Sequence, residues 1–108
     1  MRYHLDITDE AANSLLSAAK WYAVRSQSLE IATTWYDGFV DLLEKLEEQP
    51  ELGRLAPEND QFAFELRQLT YGSGKQRTHR ALYRIVDNKI EVLSIRHLAQ
   101  QAVTPDDL

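Results

Sequence analysis

Apolar positions change period along this chain, and the changes divide it into elements. Tyr3, Leu5 and Ile7 alternate with Arg2, His4 and Asp6, the two-residue repeat of a short half-buried strand. Apolar residues then return at helical spacing: Ala12, Leu15, Leu16, Ala19, Tyr22 and Ala23. This predicts a first helix running to about Arg25, with Thr8 as its cap and Asp9 and Glu10 favourably placed in its first turn. Ser26-Gln27-Ser28 is a short polar connector, and Ser28 can cap a second helix with Glu30 just inside it. Ala32, Trp35, Tyr36, Phe39, Leu42, Leu43 and Leu46 form one apolar stripe, so the second helix spans roughly residues 29–48 and stops before Pro50. Two amphipathic helices with so short a link form an antiparallel hairpin. Pro50, Gly53 and Pro57 mark residues 49–60 as a loop.

Beyond this loop the period returns to two. Phe62, Phe64 and Leu66 alternate with Ala63, Glu65 and Arg67, predicting a second strand that continues through Leu69 and Tyr71. Gly72-Ser73-Gly74 breaks it; a third strand covers about residues 76–86 and a fourth residues 89–97, joined at Asp87-Asn88. That two-residue turn sets Arg84 opposite Glu91, Tyr83 opposite Val92 and Arg80 opposite Ile95. The tail, Leu98 to Leu108, adds at most a short helical turn near Thr104-Pro105-Asp106-Asp107. The order β-α-α-β-β-β predicts a single α+β domain over residues 1–108. Its last three strands form an antiparallel meander joined by the first, one sheet face is covered by the helical hairpin, and the other is open for binding.

Composition narrows the chemistry. Among 108 residues there is no cysteine, which excludes disulfides, thiolate zinc sites and cysteine nucleophiles. No apolar run is long enough to cross a membrane, and the start of the chain has no signal-peptide pattern, so a cytoplasmic protein without membrane contact is expected. His4, His79 and His97 have no metal-ligand spacing, and no phosphate-binding glycine loop or nucleophile elbow is present. No cofactor is expected. The net charge of −5 is unevenly divided: residues 1–60 sum to −7 and residues 61–108 to +2. Residues 67–86 contain Arg67, Lys75, Arg77, Arg80 and Arg84 and no acid, a cationic strip on an acidic body.

Equal parity places Arg80, Leu82 and Arg84 on one strand face, the two guanidiniums roughly 13 Å apart. Each can hold a phosphate or a partner carboxylate bidentately, and Arg67 on the neighbouring strand can join them. Arg84 can equally pair across the strands with Glu91. His97, at the end of the fourth strand, can move a proton near neutral pH or simply cap the sheet.

Several short stretches in order resemble the RelE/ParE superfamily of bacterial toxins. They are Ala11-Ala12, Trp35, Leu46 through Pro50, Glu65-Leu66-Arg67, Arg80-Ala81-Leu82-Tyr83-Arg84-Ile85, and Val92 through Arg96-His97. The resemblance covers almost the whole chain and implies a toxin of a type II toxin–antitoxin system, in hetero-oligomeric complex with a cognate antitoxin. Antitoxin contacts are then expected at Arg67, Arg80 and Arg84. RelE-like members cleave ribosome-bound mRNA without a metal, and ParE-like members inhibit DNA gyrase. In a RelE-like chain Arg67, Arg80 and His97 would be the catalytic groups, with Arg80 neutralising the phosphate and His97 acting as acid or base. Leu98-Ala99-Gln100-Gln101 stands where that branch often carries an arginine, and the body is acidic, so the ParE-like, non-nucleolytic branch is the expectation.

Overall fold

A computed structural model describes residues 2–108. The elements are β1 (His4–Ile7), α1 (Asp9–Ser26), α2 (Leu29–Glu44), β2 (Arg54–Leu55), β3 (Arg67–Tyr71), β4 (His79–Val86) and β5 (Lys89–His97). Both expected caps form: Thr8 Oγ1 accepts from Ala11 N at 3.2 Å, and Ser28 Oγ from Ile31 N at 3.2 Å. Gln27 ends α1 in the left-handed region at φ 56°, which reverses the chain into α2. The buried stripe of α1 is Ala11, Leu15 and Ala19, one position off the expected start, so Ala12 and Leu16 face outward. α2 ends at Glu44 and tightens into a 3₁₀ turn, Lys45–Glu47, before Pro50.

The strands form one five-stranded sheet in the order β1-β5-β4-β3-β2. β3, β4 and β5 are antiparallel neighbours, as the alternation predicts, and β1 lies parallel to β5 at the edge. The additional strand β2 has two residues, too few to show a period, and pairs with the start of β3. On β4 and β5 the hairpin register places Val86 opposite Lys89, Arg84 opposite Glu91 and Tyr83 opposite Val92. Then it shifts: Leu82 lies opposite Ser94 and Arg80 opposite Arg96, not Ile95. One extra residue, Leu93, enters β5 there as a bulge, which a turn rule cannot foresee.

The hairpin packs on one face of the sheet. Trp35, Phe39, Leu43 and Leu46 of the second helical segment meet Leu69, Ala81, Tyr83, Ile90, Val92 and Ile95. The other face departs from the expectation of openness. Residues 62–64 are not a strand; their bends lay Phe62 and Phe64 beside Leu66, Ala56, Leu82, Leu93 and Val103 of the tail. The alternation of Phe62, Phe64 and Leu66 therefore marks a covering loop, and β3 starts only at Arg67. Gly53 makes the return of this loop possible, since a Cβ there would stand 2.3 Å from Gln68 O.

Candidate functional site

The register separates the residues that the sequence groups together. Arg67 is paired with Tyr83, so it leaves the hairpin side of the sheet; Arg80 is paired with Thr70 and Arg96 and leaves the far side. His97 is paired with His79, back on the hairpin side and at the other end of the strands. Arg67, Arg80 and His97 therefore do not converge on one phosphate. Arg80 and Arg84 do share the far face, with the fully buried Leu82 between them.

Each arginine has an internal partner. Arg67 Nε donates to Glu65 Oε1 at 2.9 Å, and Arg67 Nη1 to Gly53 O at 2.9 Å. Arg84 Nε donates to Glu91 Oε1 at 2.7 Å, while its guanidinium lies 4.9 Å from the Phe64 ring centre. Its side chain keeps 34% of its exposure, so this pair is at the boundary with solvent. Arg80 is different: its side chain is only 9% exposed and its Glu58 partner 5%. Arg80 Nη1 and Nη2 donate to the two oxygens of Glu58, and Nη1 also donates to Gln68 Oε1 at 2.9 Å. Val103 N donates to Glu58 Oε2 at 3.0 Å, tying the tail to the same carboxylate. With the Arg80 hydrogen bond as the leading cause, and Val103 N adding to it, the Glu58 carboxyl is held at about 2. A cavity of about 410 Å³ opens beside this cluster, lined by Gln61, Gln68, Arg80, Leu98, Gln100 and Ala102 among others.

His97 and His79 form a second polar locus. Their ring centres are 5.0 Å apart, and a cleft of about 630 Å³ joins them to Glu10, Asn13, Ser17 and Gln100. His79 is buried against Trp35 and Tyr22, and burial, aided by the neighbouring His97, pushes its pKa down to about 4. At neutral pH it is an uncharged packing residue. Ala99 N donates to His97 Nδ1 at 3.0 Å, so this nitrogen is already committed. The His97 backbone N–H donates to Gln100 Oε1 at 2.7 Å in the same turn, so the residue caps the end of β5. Among the described residues no group of three metal-ligating side chains converges.

The family model for the ParE toxin of the type II toxin–antitoxin system parDE matches residues 5–102. The chain belongs to the ParE toxin family. It is a type II toxin by membership, in keeping with the two helices packed on a mixed sheet. The fold of this ParE-family chain is similar to one from the chromosomal ParDE system of P. aeruginosa: the TM-score is 0.72 and the identity 22%, covering 89% of this chain and 96% of that one. It is also similar to a chain of the toxin–antitoxin complex RelBE2 from Mycobacterium tuberculosis, with TM-score 0.55, 19% identity, and coverage of 90% here and 99% there. A mutant of E. coli toxin RelE in the free state gives TM-score 0.53 and 17% identity over 89% of this chain and 83% of that one. At these identities the likeness is one of fold. No curated protein matches the sequence.

Two features of this ParE-family chain escape sequence reading. Glu58 pairs with a residue 22 positions away from within an irregular loop, where no period places it. The hairpin exposes Leu16, Val24, Leu29 and Ile31, while the exposed Trp21 lies beside His79 and His97, and between the helices is an apolar groove of about 230 Å³ whose lining includes one charge, Lys20. Leu16 is read as core by its spacing; the other half of the α1 stripe takes that role.

Proposed function

We propose that this toxin acts by surface complementarity on DNA gyrase, without cleaving RNA, and is neutralised by a cognate antitoxin. One observation carries the non-nucleolytic reading: Arg80, the guanidinium that a RelE-like chain would use on the phosphate, is buried and already neutralised by Glu58. Cleavage through attack of a 2′-hydroxyl needs an acid and a base beside a cation. Arg67 and His97 lie on the opposite sheet face from Arg80, and the one carboxylate beside Arg80, Glu58, is tied up in the ion pair, leaving the amides of Gln61, Gln68 and Gln100 along the adjoining cavity. The test pairs a supercoiling assay on purified gyrase with primer extension on ribosome-bound message. Loss of supercoiling with intact message is expected; cleaved message with normal supercoiling refutes the reading.

The antitoxin is expected to place an apolar helix against the hairpin groove and an acidic, extended segment along the far face. Exposed apolar side chains on both helices supply the first contact. Arg84, beside the apolar pocket of Phe62, Phe64 and Leu93, supplies the second. Of the three arginines expected at this interface, Arg84 is the one whose head remains open to a partner carboxylate; Arg67 and Arg80 support the surface from within. Co-purification with the product of the adjacent open reading frame, weakened by Leu29→Asp and by Arg84→Ala, checks this arrangement. Undiminished capture by both variants rejects it.

A further inference from the structure

Three donors meet on one carboxylate inside this protein. The planar fork of Arg80 supplies two and the Val103 N–H the third, all to the oxygens of Glu58. A guanidinium fork with a backbone amide beside it is also the donor set that suits a tetrahedral oxyanion. Gln68 braces the fork from the other side through its Oε1, fixing the plane of the guanidinium. The neighbouring cavity of about 410 Å³ reaches this cluster, and Gln61, Gln68 and Gln100 line it with amides that add hydrogen-bonding capacity but no charge.

We propose that Arg80 and the Val103 N–H form an oxyanion cradle that the chain fills with its own Glu58 carboxylate, making Glu58 the residue that excludes external phosphate from this face. The proposal deepens the non-nucleolytic reading above and rests on it. An approaching phosphate meets a guanidinium whose charge is balanced and whose two fork nitrogens are occupied, and it meets the like charge of Glu58. Because the Glu58 carboxyl is held at about 2, the cradle stays filled at every physiological pH. Glu58 lies in the loop that covers the far face, on the turn leading into the 3₁₀ segment Asn59–Gln61, and Val103 lies in the tail. The same carboxylate thus closes the cradle and fastens both covering segments.

The test titrates inorganic phosphate into wild type, Glu58→Gln and the double variant Glu58→Gln/Arg80→Met, by calorimetry and by thermal shift. Glu58→Gln is expected to bind phosphate about ten-fold more tightly than wild type or better, and the double variant to lose that gain. Equal affinity in wild type and Glu58→Gln overturns the proposal, as does undiminished binding by the double variant, which would place the phosphate elsewhere. Should Glu58→Gln fail to fold in dilute buffer, refolding by phosphate but not by sodium chloride of equal ionic strength supports the cradle; no refolding overturns it. Acetate in place of phosphate shows whether a carboxylate is accepted equally, and a response that requires Arg80 again supports the cradle. Cleavage of message by wild type would refute the preceding reading alone, since the titration measures binding whether or not any RNA is cut.

Discussion

The two faces of the sheet are closed by different physics. On the hairpin side, periodic elements interlock large rings: Trp35, Phe39 and Tyr71 are mutual neighbours, with Trp35 edge-on to Phe39 at 5.7 Å and Phe39 stacked on Tyr71 at 4.5 Å. On the far side, a loop and a tail with no more than single 3₁₀ turns, Asn59–Gln61 and the expected one at Pro105–Asp107, cover a small apolar cluster and are fastened by one buried ion pair. The first face depends on volume and tolerates no cavity. The second depends on charge complementarity, so it is sensitive to the loss of one partner more than to the loss of both.

The largest effect is expected from a cavity on the hairpin side. Trp35→Ala removes a fully packed ring and should cost about 5 kcal/mol, measured by urea unfolding. Next comes the ion pair. Glu58→Ala leaves Arg80 buried without a counter-charge and should cost about 4 kcal/mol, whereas Glu58→Leu with Arg80→Met, which leaves only the Val103 N–H and Gln68 Oε1 without their partners, should cost about half as much. If the double variant is as unstable as the single one, the far face is held by shape and the contrast between the faces fails.

That contrast also explains what could be read from the sequence. Helical and strand periods report which side chains face a common core, so the hairpin, its two caps and the β4–β5 turn are legible in the order of residues. Asp87 takes φ 54°, as a tight two-residue turn asks. The bulge at Leu93 is not legible, because an inserted residue leaves the alternation on either side intact and shifts by one the partners of His79 through Leu82, Arg80 among them. Nor is the covering role of Phe62 and Phe64: alternation alone does not distinguish a strand from a loop that dips twice into the same cluster. The arginines of the candidate site are visible as a strip, but the face each one leaves depends on register, and the carboxylates that claim them are set by tertiary contact. Family membership is therefore read from a pattern of short motifs, while the state of Arg80 requires coordinates.

Acid should separate the faces in sequence. Burial lowers His79 to about 4, so between the ordinary value of 6.5 and 4 the unfolded chain binds a proton that the folded chain refuses. Stability from this group is complete above pH 6.5 and is lost as pH falls toward 4, about 3 kcal/mol in all. Glu58, lowered from 4.5 to about 2, contributes stability that is present above pH 4.5 and disappears only between 4.5 and 2. Unfolding curves at pH 7, 5.5 and 4.5 should therefore weaken through the hairpin face first, and His79→Gln should flatten that decline. An unchanged slope in His79→Gln would assign the acid sensitivity elsewhere.

The smallest effect lies where the faces meet. Tyr83 belongs to the hairpin-side core, yet its hydroxyl donates to Pro50 O at 2.8 Å and accepts from Gly53 N at 3.1 Å, so it also anchors the loop that leads to β2. Tyr83→Phe keeps the ring and its packing but leaves a buried N–H and a carbonyl without their partner. The expected cost is about 2 kcal/mol, appearing as faster amide exchange at Gly53 with little change near Trp35. Exchange that rises equally at both places would mean the loop and the hairpin-side core open as one unit, and the division between a volume-held face and a charge-fastened one would have to be drawn beyond β2.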